Sequence, residues 1–240
     1  RIATSGSAEA RCAPSRNSAR PSPCATATGM RLPSMPWKNS DGERAISFRA
    51  GETELELVSS DGEPFYHFAL LVPGNRFEAA YAAAGSVAEL LPERETGDTV
   101  FDSDNWSSLA CYFHDPAGNI VELIAHRGLL ETAVDGEFGA AELIGLSELG
   151  LVGDRPVMAA GLAGVLGLEL WDGTLAEPTR LAFVGERART LILAPPGRGW
   201  VPTGRAAEAH PVDAVLAGRR DAQLELAEGD VRYRLRSVSE

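Results

Sequence analysis

Long apolar runs are missing from this sequence. No stretch approaches the ~18 uninterrupted apolar residues of a membrane-spanning helix, so a helical span is excluded. Cysteine is scarce: Cys12, Cys24 and Cys111 form an odd set without metal-ligand spacing. That argues against a disulfide scaffold or zinc ribbon and for a reducing, cytoplasmic compartment. Basic residues are outnumbered, 22 Lys and Arg against 34 Asp and Glu, for a formal net charge of −12. A nucleic-acid partner is therefore not expected. The Gly-x-Gly-x-x-Gly turn, the phosphate loop and the Gly-x-Ser-x-Gly elbow are absent as well. What is present is 240 residues, 44% of them hydrophobic, enough for a full core in one or two domains.

Residues 1–40 stand apart. Six basic residues (Arg1, Arg11, Arg16, Arg20, Arg31, Lys38) meet a single acid, Glu9, among Ser, Ala, Pro and Thr. No apolar period of a strand or helix runs through them. Three readings fit this composition: a disordered segment that buries too little to offset chain entropy, a transit-peptide-like leader, or a shifted reading frame upstream of about residue 40.

Strand signals begin near residue 43. Arg44–Arg49 and Thr53–Ser59 alternate in polarity and are joined by Ala50-Gly51-Glu52, a hairpin pattern. Phe65–Val72 is a strongly apolar strand. A helix is expected next, with Asn75 as N-cap, Glu78 completing a capping box and Gly85 as its stop. Leu109–Phe113 and Asn119–Ala125 are strands joined by the turn Asp115-Pro116-Ala117-Gly118. Residues 128–142 read as an acidic linker. Beyond it come a strand at Leu143–Val152, a helix capped by Asp154 and running to about Leu166, and a hairpin of Thr179–Val184 and Arg189–Ala194. Three strands then close the chain at Pro211–Leu216, Ala222–Ala227 and Val231–Arg236, with no helix between them. Ile46-Ser47-Phe48-Arg49-Ala50-Gly51-Glu52 is similar to Leu181-Ala182-Phe183-Val184-Gly185-Glu186, which points to a repeated βαβββ module whose last copy is truncated.

Two residues carry most of the chemical interest. Glu122 shares a strand face with Ile120 and Ile124, where a lone carboxylate is costly unless it meets a cation, a metal or water. His67 shares a face with Phe65, Ala69 and Leu71. Imidazole nitrogen and carboxylate oxygen together suit Fe, Mn, Ni or Zn. A hydrogen-bonded core histidine and a carboxylate at the wet end of a sheet are the plainer alternatives, and the spacing leaves both open.

Tyr66-His67-Phe68-Ala69, a helix, and then Tyr112-Phe113-His114-Asp115-Pro116-Ala117-Gly118-Asn119-Ile120-Val121-Glu122-Leu123-Ile124 resemble the second βαβββ module of the vicinal-oxygen-chelate superfamily, the glyoxalases and extradiol dioxygenases. The chain is also similar to a bacterial subgroup in which one such domain is followed by a shorter one, here marked by Trp200-Val201-Pro202-Thr203 and the Pro211 strand.

The resemblance implies an α+β fold of paired βαβββ modules forming a cup-shaped mixed sheet, followed by a shorter related domain. The expected division is a first domain at 41–127, with module two at 63–127, and a second at 143–236. It also implies that His67 and Glu122 hold a divalent metal, with Glu56 (beside Glu54) as a third ligand. The extradiol pattern would take a second histidine from the first strand of module one, which falls within residues 1–15, where there is none.

Lesser candidates are His114 as an acid or base, Tyr66 and Tyr112 lining the pocket, and Trp106 closing the cup mouth. Cys111 is expected to be inert, and His126, Glu148 and His210 receive no role. The expected ligand is a small molecule with adjacent oxygens, bound by a metal-dependent lyase, isomerase or ring-cleavage dioxygenase. The alternatives are a metal-free binding module of the bleomycin-resistance type and a truncated, inactive product. The modules pair either within one chain or across a homodimer.

Overall fold

In the computed structural model the described residues are 2–5, 38–40, 43–59 and 62–239. The expectations for residues 1–40 therefore fall largely outside the described residues. Within that stretch only Ile2–Ser5 (β1) and Lys38–Ser40 (β2) are described, both as strands.

The next elements follow the hydrophobic pattern. They are β3 (Glu43–Ala50), β4 (Thr53–Val58), β5 (His67–Val72), helix α1 (Phe77–Val87), β6 (Phe101–Ser103), β7 (Ser108–His114) and β8 (Ile120–His126). After the linker come β9 (Gly145–Val152), α2 (Arg155–Gly161) with a π-helical turn at Leu162–Leu166, β10 (Leu170–Gly173), β11 (Ala182–Glu186) and β12 (Arg189–Ala194). Finally β13 (Val212–Gly218), β14 (Ala222–Glu228) and β15 (Val231–Ser239) follow one another without a helix.

Two mixed sheets result. One has the order β14-β15-β13-β1-β4-β3-β2, the other β10-β11-β12-β9-β5-β8-β7-β6. Each module keeps its own order, with its first strand parallel to its last, as β1 is to β4, β5 to β8, β9 to β12 and β13 to β15. The copies join through antiparallel pairing of their first strands, β5 with β9 and β1 with β13. Each sheet thus unites a module from before the 128–142 linker with one from after it. The two similar segments noted in sequence are the β3–β4 and β11–β12 hairpins, at the same place in their modules.

Alternation within the second sheet separates its two faces. Phe68, Leu70, Val72, Val121, Leu123, Leu149, Leu151, Leu191 and Leu193 point to one core. That core also takes in Phe77, Ala80 and Ala84 of α1, Met158 and Leu162 of the α2 segment, and Leu55, Val212, Tyr233 and Leu235 of the first sheet. Each such side chain contributes on the order of 1.5–3 kcal/mol when fully buried. The other face carries Ala69, Leu71, Ala110, Tyr112, Ile120, Ile124, Ile192 and Ala194. It curls into a cup, because Trp106 beyond β6 reaches Trp171 and Asp172 of β10 and Phe183 of β11 at the opposite end of the strand order.

Two helix-end expectations are corrected. Asn75 does not cap α1: Arg76 is the N-cap residue, with no side-chain bond. The Asn75 amide instead donates to Thr132 O (2.7 Å) and accepts from Thr132 N (3.1 Å), tying the linker down. Arg76 reinforces that tie through Glu142 at 2.8 Å. Gly85 lies inside the helix, which continues to Val87. Asp154 behaves as expected, accepting from Val157 N at 3.0 Å. Asp154→Ala should cost about 1 kcal/mol of stability. Urea unfolding checks this, and an unchanged midpoint would count against the cap.

Candidate metal centre

The Asp115–Asn119 turn sets the site. Asp115 Oδ1 accepts from the backbone N–H groups of Ala117 and Asn119, both at 2.9 Å, and Gly118 supplies the positive φ of 84° that the turn needs. Asn119, held to Asp115 Oδ2 by its own amide, accepts from Tyr66 N at 2.8 Å. Ile120 N donates to Tyr66 O at 2.9 Å. These bonds fix the start of β8 against the start of β5, pairing His67 with Ile120 and Ala69 with Glu122. Period 2 then puts His67 and Glu122 on the cup face.

A third donor comes from β9. Ala69 pairs with Glu148 on one side as it pairs with Glu122 on the other. Two glutamates thus flank the smallest side chain available, with His67 two residues away on the central strand. One ligand atom from each of His67, Glu122 and Glu148 lies within 4.8 Å of the others, and all three residues are buried.

His67 Nδ1 sits 3.2 Å from Ile120 O. Placing the proton there leaves Nε2, 3.5 Å from Glu122 Oε2, with its lone pair free, as a ligating imidazole requires. Burial pulls His67 down to about 4, against the Ile120 bond and with the Arg198 charge, so the ring is neutral at pH 7. The 3.5 Å contact with Glu122 is then no ion pair. Burial, and next the charge of Glu148, raise Glu122 well above the usual carboxylate range, opposed by a hydrogen bond from Tyr112. Burial alone pushes Glu148 up to about 8. Its Oε1 is fully buried without a hydrogen-bond partner.

These shifts have a testable consequence. Glu148 keeps its proton to about pH 8 when folded but releases it near 4.5 when unfolded. The folded chain therefore binds more protons across that window, and stability falls as pH rises, by about 1.4 kcal/mol per unit for one group. His67 acts in the opposite sense between about 4 and 6.5, where only the unfolded chain holds the proton. Above pH 6.5 the carboxylate contribution stands alone. Chelator-treated protein should lose melting temperature from pH 6.5 to 8, and metal-loaded protein should not. A flat metal-free profile would contradict this protonation pattern.

The remaining candidates fall as follows. Tyr112 lines the cup directly opposite Glu122 in the β7–β8 pair. Trp106 spans the mouth to Asp172. Tyr66 turns to the other core and donates to Pro211 O at 2.9 Å, so it does not line the cup. His114 is exposed at the end of β7, its Nδ1 3.2 Å from Asn119 O, and is not in the group of His67, Glu122 and Glu148. Glu56 lies on β4 in the other sheet, accepting from Ser47 at 3.1 Å, and is not in the group.

Glu148, not Glu56, is the third member of the group. It was missed because Ser147 and Gly150 dilute the apolar run that singled out Glu122. The signal that would have found it is position: a carboxylate in mid-strand on the first strand of a repeated module. Trp200 was also missed. Its ring lies 4.9 Å from the His67 ring and covers Gly150, where a Cβ would come within 2.8 Å of it.

No protein-family model and no curated protein matches the chain. Among solved structures it is similar to a dioxygenase candidate from Bacillus subtilis, at 13% identity and a TM-score of 0.48, over 82% of this chain and 73% of that one. It is likewise similar to glyoxalase I from Zea mays, at 13% identity and a TM-score of 0.43, over 81% and 78%. Strand order and the joining of modules through their first strands make the fold an α+β pair of mixed sheets, one of which curls into a cup.

Proposed function

We propose that the β5–β8–β9 cup holds a divalent metal on His67, Glu122 and Glu148 and uses it to bind a small molecule through adjacent oxygens. The observation that carries this is the convergence of three buried donors on one face of the sheet. Two carboxylates and a neutral imidazole are otherwise a costly group to bury, and a dication relieves that cost. One nitrogen and two oxygen donors suit Fe(II), Mn(II), Ni(II) or Zn(II). When bound, the ion supplies a Lewis acid that polarises a substrate oxygen.

The chain's own part is orientation and exclusion. Ile120 O fixes the His67 tautomer, and Tyr112 packs opposite Glu122 on the cup face. Trp200 shuts water out on the His67 side, and Trp106 spans the far end of the cup. With three protein donors, coordination positions remain for ligand oxygens.

A metal-free binding module is the second reading, favoured by Glu148 standing where a further histidine would give a more familiar donor set. His67→Ala separates the two, with catechol as the probe. A metal-dependent cup loses bound metal and catechol binding together, whereas a metal-free binder keeps its affinity within about threefold. Retention of catechol binding by a metal-free, folded variant would overturn the proposal.

A further inference from the structure

Resting on the metal reading above, we propose that Thr190 is a positioning residue for Glu148, taking the carboxylate oxygen that faces away from the metal. One row of the sheet carries the argument. Tyr112 pairs with Glu122, Glu122 with Ala69, Ala69 with Glu148, and Glu148 with Thr190, across β7, β8, β5, β9 and β12. On this row the two glutamates flank Ala69, and each has a hydroxyl-bearing neighbour on its outer side. Tyr112 stands directly opposite Glu122 in the β7–β8 pair.

On the other side no hydrogen bond is made, and both halves of one stand idle. Glu148 Oε1 and Thr190 Oγ1 are each fully buried without a partner. Thr190 is 5% exposed and lies on the cup face of β12 with Ile192 and Ala194. A buried hydroxyl on an apolar strand is a cost where valine would fit, unless it is matched. Neighbouring strands run about 4.8 Å apart, so an acceptor and a donor at paired positions are within one rotamer change of each other. Metal binding at the inner oxygen of Glu148 leaves the outer oxygen as a fixed acceptor, and Thr190 donates to it. Such outer partners hold a ligating carboxylate in one orientation and raise affinity for the ion.

The test is Co(II) titration in competition with a chromophoric chelator, on wild type, Thr190→Val and Thr190→Ser. Thr190→Val should weaken Co(II) binding about tenfold or more, and Thr190→Ser should stay within about threefold of wild type. The metal-free Thr190→Val chain should melt no lower than wild type, since the methyl group removes an unmatched hydroxyl. A purely structural role would lower that melting temperature and leave Co(II) affinity untouched. Wild-type affinity in Thr190→Val, or equal loss in Thr190→Ser, overturns the assignment while leaving the metal site standing. A folded wild type that binds no Co(II) overturns both.

Discussion

Glu148→Gln should lower divalent-metal affinity by about 100-fold or more, a larger loss than outer partners of a ligand cause. Glutamine keeps the volume and the strand pairing but gives up the anionic oxygen. The same change should act in the opposite sense on the metal-free chain. Glu148 is the like charge that raises Glu122, and its own carboxyl is pushed up to about 8 by burial. At pH 8.5, above the point at which Glu148 ionises, metal-free Glu148→Gln should melt above metal-free wild type. Loss of affinity with gain of stability is the signature of a ligand, because replacing a residue kept for packing would lower stability and leave affinity untouched. Competition titration and thermal unfolding, each run on metal-loaded and chelator-treated protein, read the two effects. Unchanged affinity would remove Glu148 from the site.

The second large effect concerns Trp200 and Gly150. Trp200 is 4% exposed, and Trp200→Ala should cost about 3–5 kcal/mol, since the 195–211 loop has little to refill the space. A Cβ on Gly150 would stand 2.8 and 3.0 Å from two Trp200 ring carbons and 3.2 Å from His67 O. Gly150→Ala should therefore cost on the order of 1–3 kcal/mol, as overpacking does, and should displace the ring that covers His67. With Trp200 already removed, most of that cost disappears. A double-mutant cycle by urea unfolding should show coupling of about 1 kcal/mol or more between the two positions. Additive costs would mean that the ring does not seat on Gly150.

Module two was almost fully legible because its determinants are local. The apolar strands, the Asp115–Asn119 turn and the placement of His67 and Glu122 all lie within about sixty residues of one another, and period 2 settles which side chains share a face. The joining of β5 to β9 depends on contacts across the linker, which no local pattern encodes, and Glu148 was hidden with it. Asn75 shows another limit. Its sequence context is that of a cap, but the Thr132 backbone competes for the same amide and takes it. Tyr66 illustrates a third: adjacent to His67, it must face the opposite core, so proximity in sequence misleads where alternation does not.

The cup should hold a metal on one imidazole and two carboxylates. The most direct test is X-ray absorption on the Co(II)- or Zn(II)-loaded chain. The expected spectrum has first-sphere nitrogen and oxygen at about 2.0–2.2 Å and outer-sphere scattering from a single imidazole. Scattering from two or more imidazoles, or a folded chain that takes up no ion, would contradict it.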